Sequence, residues 1–295
     1  MILSILVTLL VYVMISGRVY AFVQRSLSQR LLRPRATSLS VVHKVGGISV
    51  SEVSIDMIML GKSVTILEAT AKSQEALVDA ALEEEVSLEE KPWAEDPYGA
   101  VLWPSARLVS EHVLKTFSKQ ELEDLQILEL GTGTGLVSLC AALGGAKKVH
   151  ATDYNPLALS MLEKAVEVNE VQKGVIHTSL FDVKAHDKQA LPRCDLLLVA
   201  DLLYEPATAV AVAKRVVEAI TEYGAKVIIG DSPNRPGRPL LISTLRELLP
   251  DTAIEFTSVP GQSVVGERHD LISDKRSVTE FPRALEMGLL ELNVN

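Results

Sequence analysis

The sequence predicts an α/β protein with a doubly wound, mostly parallel sheet. From residue 105 onward, short apolar segments typical of buried strands alternate with longer segments of helical character. The strand segments are nearly continuous apolar runs, the pattern of strands that helices cover on both faces. Of the 295 residues, 47% are hydrophobic and 23% are charged, so the chain has enough apolar material for a full core.

Each predicted element has a local signal. The predicted strands are residues 126–130, 147–153, 174–180, 194–201, 225–231, 253–259 and 288–295. The predicted helices are residues 71–90, 105–116, 135–143, 206–223 and 240–249, with another that begins at Pro156, a residue that the first helical turn accepts. Residues 46–69 alternate β-formers with polar residues around Gly61 and Lys62, which predicts a β-hairpin.

The first 45 residues differ in composition from the rest and indicate a targeting leader. Residues 1–42 contain five arginines and no acidic residue, and residues 1–16 form an apolar run that is short for a membrane span. We interpret residues 1–21 as a signal peptide and residues 22–45 as a transit-peptide-like segment. The Ala21-Phe22 junction resembles the bipartite plastid-targeting presequence of algae with secondary plastids, which implies a plastid (chloroplast) location. Secretion, or a membrane anchor at residues 1–16, stays open as an alternative.

The remaining chain divides into an N-terminal extension of a hairpin and a helix, residues 46–92, and a main domain, residues 93–295. The net charge of −9 argues against a protein that neutralises phosphates, so we expect no nucleic-acid partner. Two cysteines exclude a disulfide scaffold and a four-cysteine zinc site. The histidines show no ligand spacing, so no metal site is predicted. We expect no stable membrane association once the leader is removed.

A glycine-rich loop follows the first strand of the main domain, in the sequence from Glu129 to Gly135. Glycines at a strand-to-helix turn let the backbone turn sharply and approach a ligand. Leu136 stands where the dinucleotide fingerprint requires a glycine, and no Lys-Ser/Thr pair follows, so the loop is neither that fingerprint nor a P-loop. Glu129 at the strand end would repel a pyrophosphate but would suit a ligand with an ammonium group.

Two more carboxylates follow the next two strands. Asp153 ends the second strand, about 20 residues after the glycines, where a carboxylate can accept both hydroxyls of a ribose. Asp182 follows the third strand and either meets the exocyclic amine of adenine or is a carboxylate of a surface turn. Both positions favour a ligand that contains adenosine.

These features together resemble class I S-adenosylmethionine-dependent methyltransferases. The element Trp103-Pro104-Ser105-Ala106 and the segment from Ala200 to Glu205, with Asp201 and Tyr204 in a D-x-x-Y pattern, are similar to those of the family-16 protein-lysine methyltransferases. The resemblance covers residues 93–250 and implies a seven-stranded Rossmann-like methyltransferase fold, the cofactor S-adenosyl-L-methionine and a protein substrate bearing a target lysine. It implies cofactor contacts from Trp103, Glu129, Gly131, Thr132, Gly133, Gly135, Asp153, Asp182 and Ala200.

On the acceptor side the resemblance implies that Asp201 binds and aims the lysine ammonium and that Tyr204 hydrogen-bonds the amine or closes the pocket. Asp201 could instead cap the helix before Pro206, Tyr204 could lie at the edge of the core, and Trp103 could pack at a helix start. Arg235 and Arg238 either contact an acidic substrate face or lie in a solvated loop. Methylation of a small metabolite amine or heterocycle, or partner binding without catalysis, stays open as an alternative function.

Overall fold

The computed structural model describes residues 41–86, 97–232, 234–261 and 285–293. The strands in these ranges are β1 (Val42–Val45), β2 (Ile48–Met57), β3 (Lys62–Ala69), β4 (Gln126–Leu130), β5 (Lys148–Asp153), β6 (Ile176–Leu180), β7 (Leu196–Ala200), β8 (Lys226–Asp231), β9 (Thr257–Gly261) and β10 (Leu285–Leu292). The α-helices are α1 (Ala71–Val86), α2 (Pro104–Thr116), α3 (Lys119–Asp124), α4 (Leu136–Gly144), α5 (Pro156–Val168), α6 (Pro206–Tyr223) and α7 (Arg238–Leu248).

Seven strands form the central sheet in the order β6-β5-β4-β7-β8-β10-β9. Strands β4 to β8 pair in parallel, and β10 runs antiparallel to both of its neighbours. The chain moves outward from β4 in one direction through β5 and β6 and in the other through β7 and β8. The carboxyl ends of β4 and β7 therefore flank a topological switch point, where open α/β sheets bind their ligands. The predicted fold class is confirmed.

Helices cover both faces of this sheet because the strands are apolar on both sides. In β4, Ile127 belongs to a core cluster with residues of α2 and α4, whereas Leu128 faces the cluster formed by α6 and α7. Strand β7 is buried on both faces in the same way, which explains its continuous apolar sequence. The two cores fix the sheet between helix layers and hold its carboxyl edge in place.

The N-terminal extension is a three-stranded antiparallel sheet in the order β1-β2-β3. Its buried side chains join one core cluster with residues of α4 and α5. Strand β1 pairs with β2 from Val42 onward, so the folded region starts upstream of the boundary drawn after residue 45. The sequence pattern missed β1 because four residues with two of them polar or charged carry too little periodicity.

Other differences concern short or late elements. Helix α3 was not predicted; it is six residues long and begins with a capping box formed by Ser118 and Glu121. The strand expected at 253–259 is β9, Thr257–Gly261, which pairs with β10. The connection between β6 and β7, all of which the structure describes, contains no helix. Among the described residues no helix is both long and apolar enough to span a membrane. The expected leader lies almost wholly outside them.

Candidate functional site

The glycine loop lies at the carboxyl end of β4. Gly131, Gly133 and Gly135 all have left-handed backbones, with φ of 67°, 50° and 79°. A side chain at Gly131 would come within 2.5 Å of Leu202 Cδ2, and one at Gly135 within 2.4 Å of Leu162 Cδ1. Glycine is therefore required here by conformation and by space.

Glu129 fastens this loop to the start of α4. Its Oε2 accepts hydrogen bonds from the Thr132 hydroxyl at 2.8 Å, from the Ser138 amide at 3.1 Å and from the Ser138 hydroxyl. Burial raises the pKa of Glu129 to about 7 and outweighs these hydrogen bonds, which act in the opposite direction. The carboxyl group thus anchors the loop, and its burial favours the neutral form in the absence of a positively charged partner.

Asp153 connects the end of β5 to the same loop. Its Oδ2 accepts a hydrogen bond from the Gly133 amide at 3.0 Å, and its Oδ1 accepts one from the Asn155 amide at 2.9 Å. A second contact joins the strands, from the Thr132 amide to the Thr152 carbonyl at 2.9 Å. The predicted juxtaposition of glycines and acid is therefore present in the structure, at the carboxyl edge of parallel strands.

Two other predicted cofactor residues lie along this edge. Asp182 is half-buried after β6, and its Oδ1 accepts the Lys184 amide at 2.8 Å. Ala200 is the last residue of β7 and pairs with Gly230 of β8. With the glycine loop they place candidate ligand-contacting groups at the ends of β4, β5, β6 and β7.

An aromatic group borders the loop on the side of α2. It consists of Tyr98, Trp103 and Tyr204, with ring centres 6.2 Å apart for the first pair and 6.3 Å for Tyr98 and Tyr204. The Trp103 indole donates a hydrogen bond to the Tyr98 carbonyl at 3.0 Å. Gly99 lies in the same turn, and its carbonyl oxygen is 3.5 Å from the position that a Gly133 side chain would occupy. The turn that contains Gly99 therefore lies directly against the glycine loop.

Asp201 follows β7 and is almost completely buried, with a left-handed backbone at φ 62°. It does not cap α6, whose N-cap residue is Glu205. Its carboxylate instead accepts hydrogen bonds from the Ser232 amide and hydroxyl and from Arg235 Nε at 2.7 Å. Tyr204, three residues later, is 36% exposed and belongs to the aromatic group rather than to the core.

Arg235 and Arg238 do not lie free in a solvated loop. Arg235 pairs with Asp201, and its guanidinium carbon lies 4.9 Å from the centre of the Trp103 ring. Arg238 pairs with Asp231 at 2.7 Å and lies over Phe256. Both arginines therefore neutralise buried carboxylates of this protein, which corrects the solvated-loop interpretation.

Asp231 is itself unusual. Burial raises its pKa to about 6, although Arg238 acts to lower it. One oxygen, Oδ1, is buried without a hydrogen-bond partner among the described residues. From the sequence this residue was only the last position of a predicted strand, because its environment depends on β10 and α7.

Sequence reasoning also missed three supporting residues. Glu68 of β3 is buried and accepts the Leu102 amide at 2.7 Å, so the N-terminal sheet holds the segment before Trp103. Ser138 fastens Glu129, and Tyr98 links Trp103 to Tyr204. An acid within the apolar run of β3 was the one available signal. The described residues contain no group of three or more potential metal ligands.

A seven-stranded sheet in this order, with a glycine loop and carboxylates at its switch point, defines a Rossmann-like methyltransferase domain. A putative S-adenosylmethionine-dependent methyltransferase from Streptococcus mutans shares the fold, with a TM-score of 0.50 and 11% identity over 88% of this chain and 57% of that one. A model of the lysine methyltransferase family matches residues 81–235. The chain belongs to the lysine methyltransferase family.

Named relatives agree with this assignment. Electron transfer flavoprotein beta subunit lysine methyltransferase of Homo sapiens is 27% identical over 144 residues, which are 49% of this chain and 51% of that protein. Protein-lysine methyltransferase METTL21E of Bos taurus is 41% identical over 119 residues, 38% of this chain and 40% of that protein. The chain thus spans about half the length, or less, of these curated relatives.

Proposed function

We propose that this protein transfers a methyl group from S-adenosylmethionine to the side-chain nitrogen of a lysine in a protein substrate. One observation carries the proposal. In a chain of the lysine methyltransferase family, the glycine loop, Asp153 and Asp182 meet Asp201 and the aromatic group at one edge of the sheet.

The chemistry of the donor set fits the cofactor. Carboxylate oxygens can accept more than one hydrogen bond, so Asp153 can hold the glycine loop and also accept ribose hydroxyls. Glu129 lies under the loop, and a bound ammonium group would favour its ionised form, which suits the cofactor; none of the ion pairs of the described residues involves Glu129. Asp182 is the residue for the adenine amine. Left-handed glycines give the cofactor close access to the backbone.

The acceptor side is bounded by the aromatic group and by the segment from Asp201 to Tyr204. When bound, S-adenosylmethionine supplies a methyl group on a positively charged sulfur, which becomes a neutral thioether when the methyl group leaves. The protein holds the acceptor nitrogen in line and excludes water, and alignment of this kind is the main contribution available to it. The half-buried Trp103 and the partly exposed Tyr204 are the apolar surfaces for the lysine stem.

The experiment uses the purified protein from about residue 41, tritiated S-adenosylmethionine and a plastid stromal extract. Label in a protein band that is located on lysine supports the proposal. Label confined to small molecules would instead support a metabolite methyltransferase. Cofactor binding without label would contradict transfer to these acceptors, and no cofactor binding by calorimetry would contradict the function as a whole.

We also propose that residues 1–45 direct the protein to a plastid. The composition of this segment supports the proposal, since residues 1–42 contain five arginines and no acidic residue. A fusion of residues 1–45 to a fluorescent protein tests it, because a purely reticular pattern would contradict plastid import.

A further inference from the structure

The acceptor side of the site already holds a cation. Arg235 contacts both Asp201, which the resemblance assigns to the lysine, and Trp103, which it assigns to the cofactor. Nε and a terminal nitrogen of the guanidinium lie 2.7 Å from Asp201 Oδ1. A lysine that enters here therefore meets a carboxylate that is already paired.

This pairing matters because only a neutral amine has a lone pair for attack. The reference pKa of a lysine side chain is about 10.4, so the ammonium form dominates at neutral pH. A free carboxylate beside the amine would stabilise the ammonium and raise its pKa, whereas a neighbouring positive charge favours the neutral amine. Without Arg235, Asp201 would thus stabilise the unreactive ammonium form of the lysine and slow methyl transfer.

Exposure determines which charge of the pair faces an incoming group. The Asp201 side chain is 2% exposed, whereas the Arg235 side chain is 19% exposed. Trp103 supports one face of the guanidinium and keeps it next to the aromatic group. The outward charge at this point is therefore positive.

The other charged and titratable groups near Arg235 come from the ends of β7 and β8, the start of α7 and the aromatic group. Asp201 follows β7, and Asp231 ends β8, where Arg238 from the start of α7 neutralises it. Tyr98 and Tyr204 contribute the hydroxyls of the aromatic group beside Trp103. The second carboxylate thus has its own arginine, and Arg235 remains matched to Asp201.

We propose that Arg235 makes the target lysine react as a neutral amine, and that Asp201 is a positioning residue that holds Arg235 in place. In this step an N–H bond of the lysine ammonium breaks, its electron pair stays on nitrogen, and the proton goes to solvent water. The inference rests on the proposed methyl transfer to lysine.

The experiment compares initial rates of methyl transfer from tritiated S-adenosylmethionine into a dialysed protein extract, from pH 7 to pH 10. The enzymes are the wild type, Arg235→Gln, the double variant Asp201→Asn with Arg235→Gln, and Arg238→Gln. Taking the ratio of wild-type to variant rate at each pH removes the effect of pH on the extract itself.

The Arg235→Gln variant should be slower than wild type by ~10-fold at pH 7 and by only ~3-fold at pH 10, as expected if Arg235 lowers the amine pKa by about one unit from its reference value of about 10.4 and the variant restores that value. The double variant should be faster than Arg235→Gln at pH 7, because it lacks an unpaired carboxylate that would hold the ammonium. Arg238→Gln removes a positive charge from the neighbouring pair of Arg238 and Asp231, in which Arg238 lies over Phe256. The ratio of the wild-type rate to the Arg238→Gln rate should not change with pH.

Binding of S-adenosylhomocysteine by calorimetry and thermal unfolding provide readouts that do not depend on activity. We expect any loss of affinity through the contact between Arg235 and Trp103 to be independent of pH, so that it does not affect the pH dependence of the rate ratio. If Arg235→Gln does not fold, Arg235→Lys replaces it, because lysine keeps the positive charge. The pH dependence of the transfer rate of Arg235→Lys should match that of wild type, whereas that of the double variant should not.

A wild-type to Arg235→Gln ratio that is constant with pH would overturn the inference, as would a double variant slower than the single one at pH 7. Either result leaves methyl transfer itself intact. Absence of lysine label from the wild type at every pH would instead contradict the proposed function, so the two failures are distinguishable.

Discussion

The two halves of the sheet's carboxyl edge hold their carboxylates in different ways. At the ends of β4 and β5, Glu129 and Asp153 accept hydrogen bonds from backbone amides and hydroxyls of the glycine loop and of the helix starts. At the ends of β7 and β8, Asp201 and Asp231 each face an arginine from one short segment. The hydrogen bonds named in the first half come from neutral donors, whereas the second half is charge-balanced.

This difference matches the two ligands of a methyltransferase. S-adenosylmethionine carries a sulfonium and an ammonium, so a half whose carboxyl groups are held by neutral donors suits it. The acceptor lysine has to lose a positive charge before it reacts, so a half without an unpaired carboxylate suits it. The comparison therefore predicts that changes in the first half affect cofactor affinity and that changes in the second half affect transfer.

The largest effect is expected from Asp201→Ala. Without the carboxylate, Ser232 and Arg235 lose their common partner, and misplacement of such groups by about 1 Å can lower transfer ~100-fold. The affinity for S-adenosylhomocysteine should stay within about threefold of wild type. Rates with labelled cofactor and calorimetry measure the two quantities, and Asp231→Ala is the control for loss of a neighbouring arginine partner. A large loss of cofactor affinity with normal transfer would reverse the assignment.

The second effect concerns Asp153→Ala in the other half. Loss of hydrogen bonds to a charged group, at about 1.5–3 kcal/mol, should weaken cofactor binding by ~10- to 100-fold. Asp195→Ala is the matched control, because Asp195 also accepts a backbone amide, that of Gln126, but lies at the opposite, amino-terminal edge of the sheet. Equal losses of affinity in both variants by calorimetry would show that Asp153 acts only through stability.

A third change tests whether the glycine loop connects the two halves. Gly131→Ala adds a side chain within 2.5 Å of Leu202, the residue after Asp201, and should destabilise the protein by about 1–3 kcal/mol beyond the cost of the left-handed backbone. Gly224→Ala shares the left-handed backbone, at φ 64°, but its added side chain meets no atom within 4 Å. Urea unfolding compares the two variants. Similar losses would mean that Leu202 moves aside without cost.

The last effect is a pH dependence of stability from Glu129. Its pKa rises from 4.5 to about 7 on folding, so the folded protein holds this proton more tightly than the unfolded chain does. The stability that it contributes is full below about pH 4.5 and is lost as the pH rises through about 7. Between pH 5 and pH 7.5 the free energy of unfolding should therefore fall less in Glu129→Gln than in wild type. The difference between the two falls should be at most about 3 kcal/mol. An unchanged slope in urea unfolding would show that the buried carboxyl is already ionised.

Sequence patterns predicted most of the fold because its strands are apolar on both faces and its helices are long. The runs at β4 and β7 and the long helix α6 are within a few residues of their predicted bounds. Patterns failed at β1 and α3, where four and six residues carry little periodicity. The late strands were shifted because β9 and β10 gain their order from pairing with each other and with β8.

For the candidate site, the sequence by itself determined which groups end each strand. The glycines, Glu129, Asp153 and Asp201 follow apolar strands, and strand ends in a parallel sheet meet at one edge. Only the tertiary structure decided what these groups contact. Arg235 lies 34 residues after Asp201, and Glu68 lies 34 residues before Leu102. Partners at such separations depend on how strands pair and loops pack, and local patterns do not encode those distances.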